Sequence, residues 1–274
     1  MELIKYQALG NDYLVVDLPA PLDNLVALLP RLCDRNLGLG SDGLLAFDPD
    51  AMSVRIFNPD RSEAQKSGNG LRIVAAHALL EHGAKDAFVL RTADRANDVR
   101  ILERQGAEVV SEIDIGRPSF RAADLPANFA GEPDEVALET LAGKVTAVLV
   151  SVGNPHCVVF GEPVTRGRCL ELGPHLERHS AFPERTNVQL CEVLDRGNIR
   201  IEIWERGAGY TLASGTSASA VAAACMRRGL VGESVTVHMP GGDLSVRREP
   251  SGDLVQSGPA RRVYRATVEL GDFA

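Results

Sequence analysis

Two short stretches carry residue types that can do proton chemistry, Ser67-Gly68-Asn69-Gly70 and Ser214-Gly215-Thr216-Ser217. Each sets a hydroxyl and a glycine directly before a run of small or apolar residues that reads as a helix. The first N–H groups of a helix have no intrahelical partner and carry the positive end of its dipole. Each corner is therefore a natural seat for an anion such as a carboxylate. The corners lie 147 residues apart, one in each half of the chain.

The elements that must position these corners are legible on either side. Ser53 to Phe57 alternates as a strand and breaks at Asn58-Pro59-Asp60-Arg61 ahead of the first corner; Ile199 to Trp204 alternates ahead of the second. The helix from Leu71 to His82 stops at Gly83, as expected for a glycine C-cap. Residues 1–9 read as a strand, followed by Gly10-Asn11-Asp12 and a second apolar run, Tyr13 to Val16. Residues 24–36 carry Leu25, Leu28, Leu29 and Leu32 at helical spacing. The glycine-rich turn Gly38 to Gly43 has no lysine after it, which argues against a phosphate loop. Residues 86–115 read as hairpin strands, and 117–143 as a poorly patterned connector between halves.

The second half echoes the first. Gly10-Asn11 and Gly153-Asn154 are 143 residues apart, Val54-Arg55-Ile56-Phe57 and Ile199-Arg200-Ile201-Glu202 are 145 apart, and the serine corners 147. The near-constant offset reads as a tandem duplication. It predicts two similar α+β domains, each with strands wrapped around a helix that begins at a Ser-Gly corner. If the domains face each other, two helix N-termini hold one carboxylate from both sides.

Bulk properties exclude several classes. A length of 274 residues with 45% hydrophobic and 24% charged residues suits a soluble globular chain of one large domain or two ordinary ones. A net charge of −8 argues against nucleic acid or an anionic membrane as partner. No apolar run is long enough to span a bilayer, and no signal peptide opens the chain. The five cysteines, Cys33, Cys157, Cys169, Cys191 and Cys225, form no C-x-x-C pair, so a reducing, cytoplasmic setting is expected and neither disulfides nor zinc–cysteine chemistry. The histidines His77, His82, His175, His179 and His238 show no metal-ligand spacing, and no metal is expected.

Six motifs in order, Gly10-Asn11-Asp12, Gly68-Asn69-Gly70, Gly153-Asn154-Pro155-His156, Arg185-Thr186-Asn187-Val188, Trp204-Glu205-Arg206-Gly207 and Pro240-Gly241-Gly242-Asp243, resemble the signature set of the diaminopimelate epimerase family. The resemblance runs from residue 3 to about residue 265. It implies an α/β (α+β) fold of two pseudo-symmetric domains, each a barrel-like sheet around a central helix. The boundaries expected are 1–117 and 118–262, with 263–274 a C-terminal segment that could return to the first domain as a strand. It also implies a cofactor-independent isomerase that inverts one Cα of a diamino diacid, LL- to meso-diaminopimelate, in lysine and peptidoglycan-precursor synthesis. Family members are often homodimers.

In that family two opposed cysteines exchange roles as thiolate base and thiol acid. The matching positions here are Ser67 and Ser214. The N–H groups of Gly68, Asn69, Gly215 and Thr216 would hold the substrate carboxylate and stabilise the developing enediolate. Asn58, Asn187, Glu205 and Arg206 match the residues that hold the distal amino acid end, a carboxylate on Arg206 and an ammonium on Glu205. Asn11 and Asn154 complete the polar lining. His156 could relay a proton to a serine, and Tyr210, which replaces a family glutamate, is a second candidate auxiliary group. Ser217 and Ser219 likewise stand where the family commonly has glycine and cysteine.

An alcohol is a far weaker acid than a thiol, so the departures leave several readings open. The chain could be an epimerase, a Cys-to-Ser variant, a catalytically impaired ligand-binding homologue, or a divergent dehydratase or isomerase acting on another amino acid.

Overall fold

The helix expected after Ser67 spans Gly68–His82, and its residues from Gly68 through Ala78 are all buried. A helix with no solvent face over three turns has to be enclosed by other elements. The strands that enclose it belong to the first of two units seen in the computed structural model, which describes residues 1–64, 67–93 and 95–273. That unit comprises Met1–Ile113 and Ser257–Ala274; the second is Asp114–Gln256. The chain passes from one to the other within single strands. The last residue of the expected C-terminal segment, 274, lies outside the described residues.

The first unit runs β1 (Glu2–Ala8), β2 (Asn11–Asp17), α1 (Leu22–Leu32), β3 (Leu44–Asp48), β4 (Ser53–Phe57), β5 (Glu63–Ala64), α2 (Gly68–His82), β6 (Ala87–Arg91), β7 (Ala96–Gln105) and β8 (Glu108–Gly116). The second continues with β9 (Val136–Thr140), β10 (Gly143–Ser151), β11 (Pro155–Phe160), α3 (Arg166–Glu177), β12 (Asn187–Asp195), β13 (Asn198–Glu205), β14 (Gly209–Thr211), α4 (Gly215–Arg227), β15 (Ser234–Met239) and β16 (Gly242–Arg248). Strand β17 (Leu254–Thr267) then carries the chain back to the first unit.

Strand pairing follows one rule in both units. In the first, β1 pairs antiparallel with β2, β2 parallel with β3, β3 antiparallel with β4, β4 parallel with β6, and β6 antiparallel with β7. In the second, β10, β11, β12, β13, β15 and β16 repeat that sequence of directions. Helices α1 and α3 occupy the equivalent crossovers, and α2 and α4 follow the equivalent two- and three-residue strands. In the first unit β17 pairs with β1 and with β8, bringing the sheet round on itself as a barrel-like wall. Helix α2 packs inside against β1, β2 and β3.

The outer helices use ordinary amphipathic packing. Leu25, Leu29 and Leu32 of α1 sit on Leu3, Leu14, Val16 and Leu44. Cys169, Leu172 and Leu176 of α3 sit on Leu149, Val159, Val188 and Leu190. The central helices instead owe their burial to small side chains, and α4 is buried from Gly215 through Met226. All five cysteines are buried. No helix among the described residues is long and apolar enough to cross a membrane.

One expectation is corrected, and two features go beyond the sequence patterns. Helix α3 was not foreseen, because Gly167, Gly173 and Pro174 dilute its helical signal. The repeat offset would have found it, since α1 begins at Leu22 and α3 at Arg166, 144 residues later. The stretch 117–143 is not only a connector: β9 alternates buried Val136 and Leu138 with exposed Ala137 and Glu139, and it pairs with β10. Finally, the structure brings together His77 and His82, which their spacing does not suggest. Five residues apart on α2, they point about 140° apart around an ideal helix, yet their Nε2 atoms converge on Asp17 of β2 at 2.8 and 3.1 Å.

Candidate active site

Ser67 is the N-cap of α2, with extended backbone and its Oγ accepting the N–H of Gly70 at 3.0 Å. A side chain at Gly70 would place its Cβ 3.2 Å from that same oxygen, so the glycine keeps the hydroxyl seated. Gly68 and Asn69 form the first turn and are buried. The Asn69 side chain donates to Asn11 Oδ1 at 3.1 Å, and Asn11 Nδ2 donates to Asp42 Oδ2 at 2.7 Å. Asn69 Oδ1 in turn accepts from Arg72 at 2.7 Å. Arg72 is fully buried, which lowers its guanidinium to about 9, so it remains a cation at neutral pH under the serine corner. Asn58 is held apart from this chain of contacts by its own turn, donating through Nδ2 to Ser62 Oγ at 2.9 Å.

Sequence reasoning missed what orients Asn11. Asp42 lies in the glycine-rich turn, takes the Asp12 N–H at 3.0 Å as well as Asn11 Nδ2, and meets Arg35 at 2.7 Å. The turn needs glycine for close packing: a Cβ on Gly43 would meet Phe57 O at 2.3 Å. Asp12 is itself buried against Lys5 and Arg35. Burial alone would raise its carboxyl, but hydrogen bonds from Arg35 and Lys5 outweigh it and hold the group below its ordinary value. A depressed native pKa contributes stability that is present above the unfolded value of about 3.9 and is lost as pH falls through the lower native value. Asp12→Asn should therefore cost about 2 kcal/mol at pH 7 and flatten the loss of stability between pH 5 and pH 2, checked by urea titrations across that range. An unchanged acid limb would remove Asp12 from the account.

Ser214 caps α4 in the same way, with φ and ψ of −146° and 123° against −145° and 113° at Ser67. Its Oγ lies 3.4 Å from Ser217 N and 3.3 Å from Thr216 Oγ1. Ser214, Gly215 and Thr216 are all buried. His156 is fully buried and linked at Nε2 to Asn154 Oδ1 (2.9 Å) and at Nδ1 to Gln189 Nε2 (3.1 Å). An acceptor at Nε2 and a donor at Nδ1 assign the neutral Nε2–H tautomer. Gln189 also donates to Ser217 Oγ at 3.0 Å, so the imidazole reaches the first turn of α4 through an amide. Gln189 was not foreseen. Its signal is the strand period, which puts it on the same face of β12 as Asn187.

Asn187 ties β11 to the turn after β13: Nδ2 donates to Pro155 O at 2.8 Å and Oδ1 accepts the Arg206 N–H at 3.0 Å. Glu205 is half-buried at the end of β13, and Arg206 is exposed with Nη1 on Glu184 O at 3.2 Å. The group that holds this turn is Glu177, a carboxylate only 3% exposed at the end of α3. It accepts Trp204 Nε1 at 2.8 Å and Gly207 N at 3.0 Å. Gly173 lets α3 approach, since a Cβ there would meet Trp204 Cγ at 2.5 Å. Tyr210 donates to Glu202 at 2.8 Å, and burial with that carboxylate raises its phenol to about 12. It is thus a protonated hydrogen-bond donor at neutral pH.

Each unit therefore presents a serine oxygen on the positive end of a buried helix, backed by amide side chains. That arrangement can seat an anion and offer an oxygen to an adjacent proton, with the distal-end candidates Glu205 and Arg206 on a braced turn.

Comparison with known proteins agrees with this organisation. The family model described as diaminopimelate epimerase matches residues 3–120 and 148–263. A protein named diaminopimelate epimerase 2 from Nostoc sp. is 42% identical, covering 100% of this chain and 98% of its own. A diaminopimelate epimerase from Pelotomaculum thermopropionicum is 37% identical over 96% of this chain and 97% of its own. Among solved structures, a predicted epimerase from Pseudomonas aeruginosa superposes with a TM-score of 0.71 at 21% identity, covering 97% and 98% of the two chains.

Proposed function

The chain belongs to the diaminopimelate epimerase family, and from that premise we propose that it is a cofactor-independent amino acid epimerase acting at a Cα of a diamino diacid. Ser67 and Ser214 are the two proton-transfer groups. The first-turn N–H groups of α2 and α4 take the α-carboxylate, whose negative charge grows as the α-proton leaves. Arg206 and Glu205 recognise the distal carboxylate and ammonium, with Asn58 and Asn187 as further polar groups for that end. Asn11, Asn69 and Asn154 line the reacting end, while His156 and Tyr210 act by position. The reading places the enzyme in the cytoplasm, in lysine biosynthesis.

The observation that carries this reading is the repeated serine cap: two hydroxyls with matching backbone angles, each heading a helix buried through its first turn. Inversion requires one group to remove the α-proton and another to deliver a proton to the opposite face. With alcohols in both roles the step is slow, because an alkoxide is costly at neutral pH even beside a helix N-terminus.

The test is purified protein with LL-diaminopimelate in heavy water, followed by mass spectrometry and chiral chromatography. Slow appearance of meso product carrying one α-deuterium is expected. No deuterium and no meso product at high enzyme concentration would sink the epimerase reading. The exchange of sulfur for oxygen favours one second reading, elimination from or isomerisation of a β-substituted amino acid, which needs a base on only one face. Keto acid or ammonia released from hydroxylated amino acids would select it.

A further inference from the structure

We propose that Asp17, His77 and His82 form a binding site for a divalent transition-metal ion of the zinc type, one that fastens α2 to β2. Asp17 ends β2, and the histidines lie in the last two turns of α2. One ligand atom from each residue lies within 4.8 Å of the other two. His77 Nε2 is 2.8 Å from Asp17 Oδ1, and His82 Nε2 is 3.1 Å from Asp17 Oδ2. Ligand atoms around tetrahedral zinc are roughly 3.3 Å apart, so opening these edges by roughly half an ångström or less admits the ion.

The contacts around His77 suit a metal ligand. Tyr6 has one proton and gives it to Glu81 Oε1 (3.4 Å), and its oxygen lies 3.2 Å from His77 Nδ1. His77 Nδ1 thus has an oxygen partner of its own, and Nε2 is left to face Asp17. At 2.8 Å, His77 Nε2 and Asp17 Oδ1 are bridged by a ring proton, the place that a metal ion would take. An imidazole whose far nitrogen donates to a neighbouring oxygen is the usual posture of a metal ligand.

The surroundings favour zinc over a hard cation. Two imidazoles and one carboxylate are a ligand set that zinc, cobalt and nickel prefer to magnesium or calcium. Phe47 stands with its ring centroid 5.6 Å from each imidazole, and Tyr6 5.6 Å from His77. These rings exclude water on the inner side. On the outer side Asp17 and His77 line a cavity of about 290 Å³ with Val15 and Pro19, where water can complete the coordination. The site is remote in sequence from Ser67 but on the same helix, so its ion would brace the helix that carries the serine corner.

The experiment is a calorimetric titration of chelator-treated full-length protein with zinc chloride at pH 7.5, with thermal unfolding in parallel. One equivalent should bind per chain and raise the unfolding midpoint, because the ion binds the folded state. All five cysteines are buried, so folded protein offers them no competing access. The cobalt(II) form should show visible absorption of a four-coordinate ion. His82→Gln, at a partly exposed position that tolerates change, should weaken zinc binding by roughly 100-fold, and Asp17→Asn likewise. His77→Gln would do the same, but His77 is buried, so the first two variants decide. No binding by the wild type, or zinc binding unchanged in both His82→Gln and Asp17→Asn, would overturn the site.

Discussion

Restoring sulfur at both caps, in a Ser67→Cys plus Ser214→Cys variant, should raise epimerisation of LL-diaminopimelate by roughly 10²–10⁴-fold for each face of the reaction. A thiol has a reference pKa of about 8.5, and a helix N-terminus lowers it further, whereas an alcohol stays protonated. The second corner already has room: Ser214 Oγ sits 3.4 Å from the N–H it accepts, long for an oxygen acceptor, whose usual range is about 2.7–3.2 Å. Single variants should behave differently from the double. One thiolate can remove the α-proton and return it to the same face, so a lone Ser67→Cys or Ser214→Cys change should wash deuterium into one isomer without matching inversion. Coupled mass spectrometry and chiral chromatography separate the two outcomes. A folded double variant with no gain in exchange or inversion would show that these serines do not face the reacting carbon.

Removing the carboxylate at position 177 should have the largest effect of any change outside the serine corners. Glu177→Ala leaves the half-buried Trp204 indole N–H and the Gly207 N–H without the buried carboxylate that accepts them. Losing two part-buried hydrogen bonds to a charged acceptor should cost about 2 kcal/mol, read as a lower urea midpoint with an unchanged slope. The functional consequence follows from the same bonds. Asn187 and Glu177 brace the turn that displays Glu205 and Arg206, so diaminopimelate binding should weaken by roughly tenfold or more by calorimetry at a temperature where the variant is folded. Glu177→Gln keeps one acceptor oxygen and should fall between. A Glu177→Ala protein with native stability and native affinity would show that the turn holds itself.

Much of this was legible in the chain. The serine corners, the strand before each, and the glycine that ends α2 are local signals, because caps and turns are made by residues a few positions apart. The repeat offset extended the reading to topology, and the same offset marks α3, whose own composition conceals it. The braces were not legible. Asp42 reaches Asn11 across 31 residues and Glu177 reaches Trp204 across 27. Gln189 looks like any strand glutamine until His156 and Ser217 close on it.

Local residue order is enough to locate two helices that begin with a hydroxyl on an unsatisfied N-terminus, and the polar residues that accompany them. Those features depend on hydrogen bonds and periodicities that span one turn or one strand. What each polar group is used for depends on contacts between distant segments. The tertiary structure shows His156 as a neutral ring bonded on both nitrogens, Tyr210 as a donor to Glu202, and His77 and His82 meeting at Asp17. Burial turns an ordinary side chain into one that must find a partner, and that partner is chosen by the packing of distant segments.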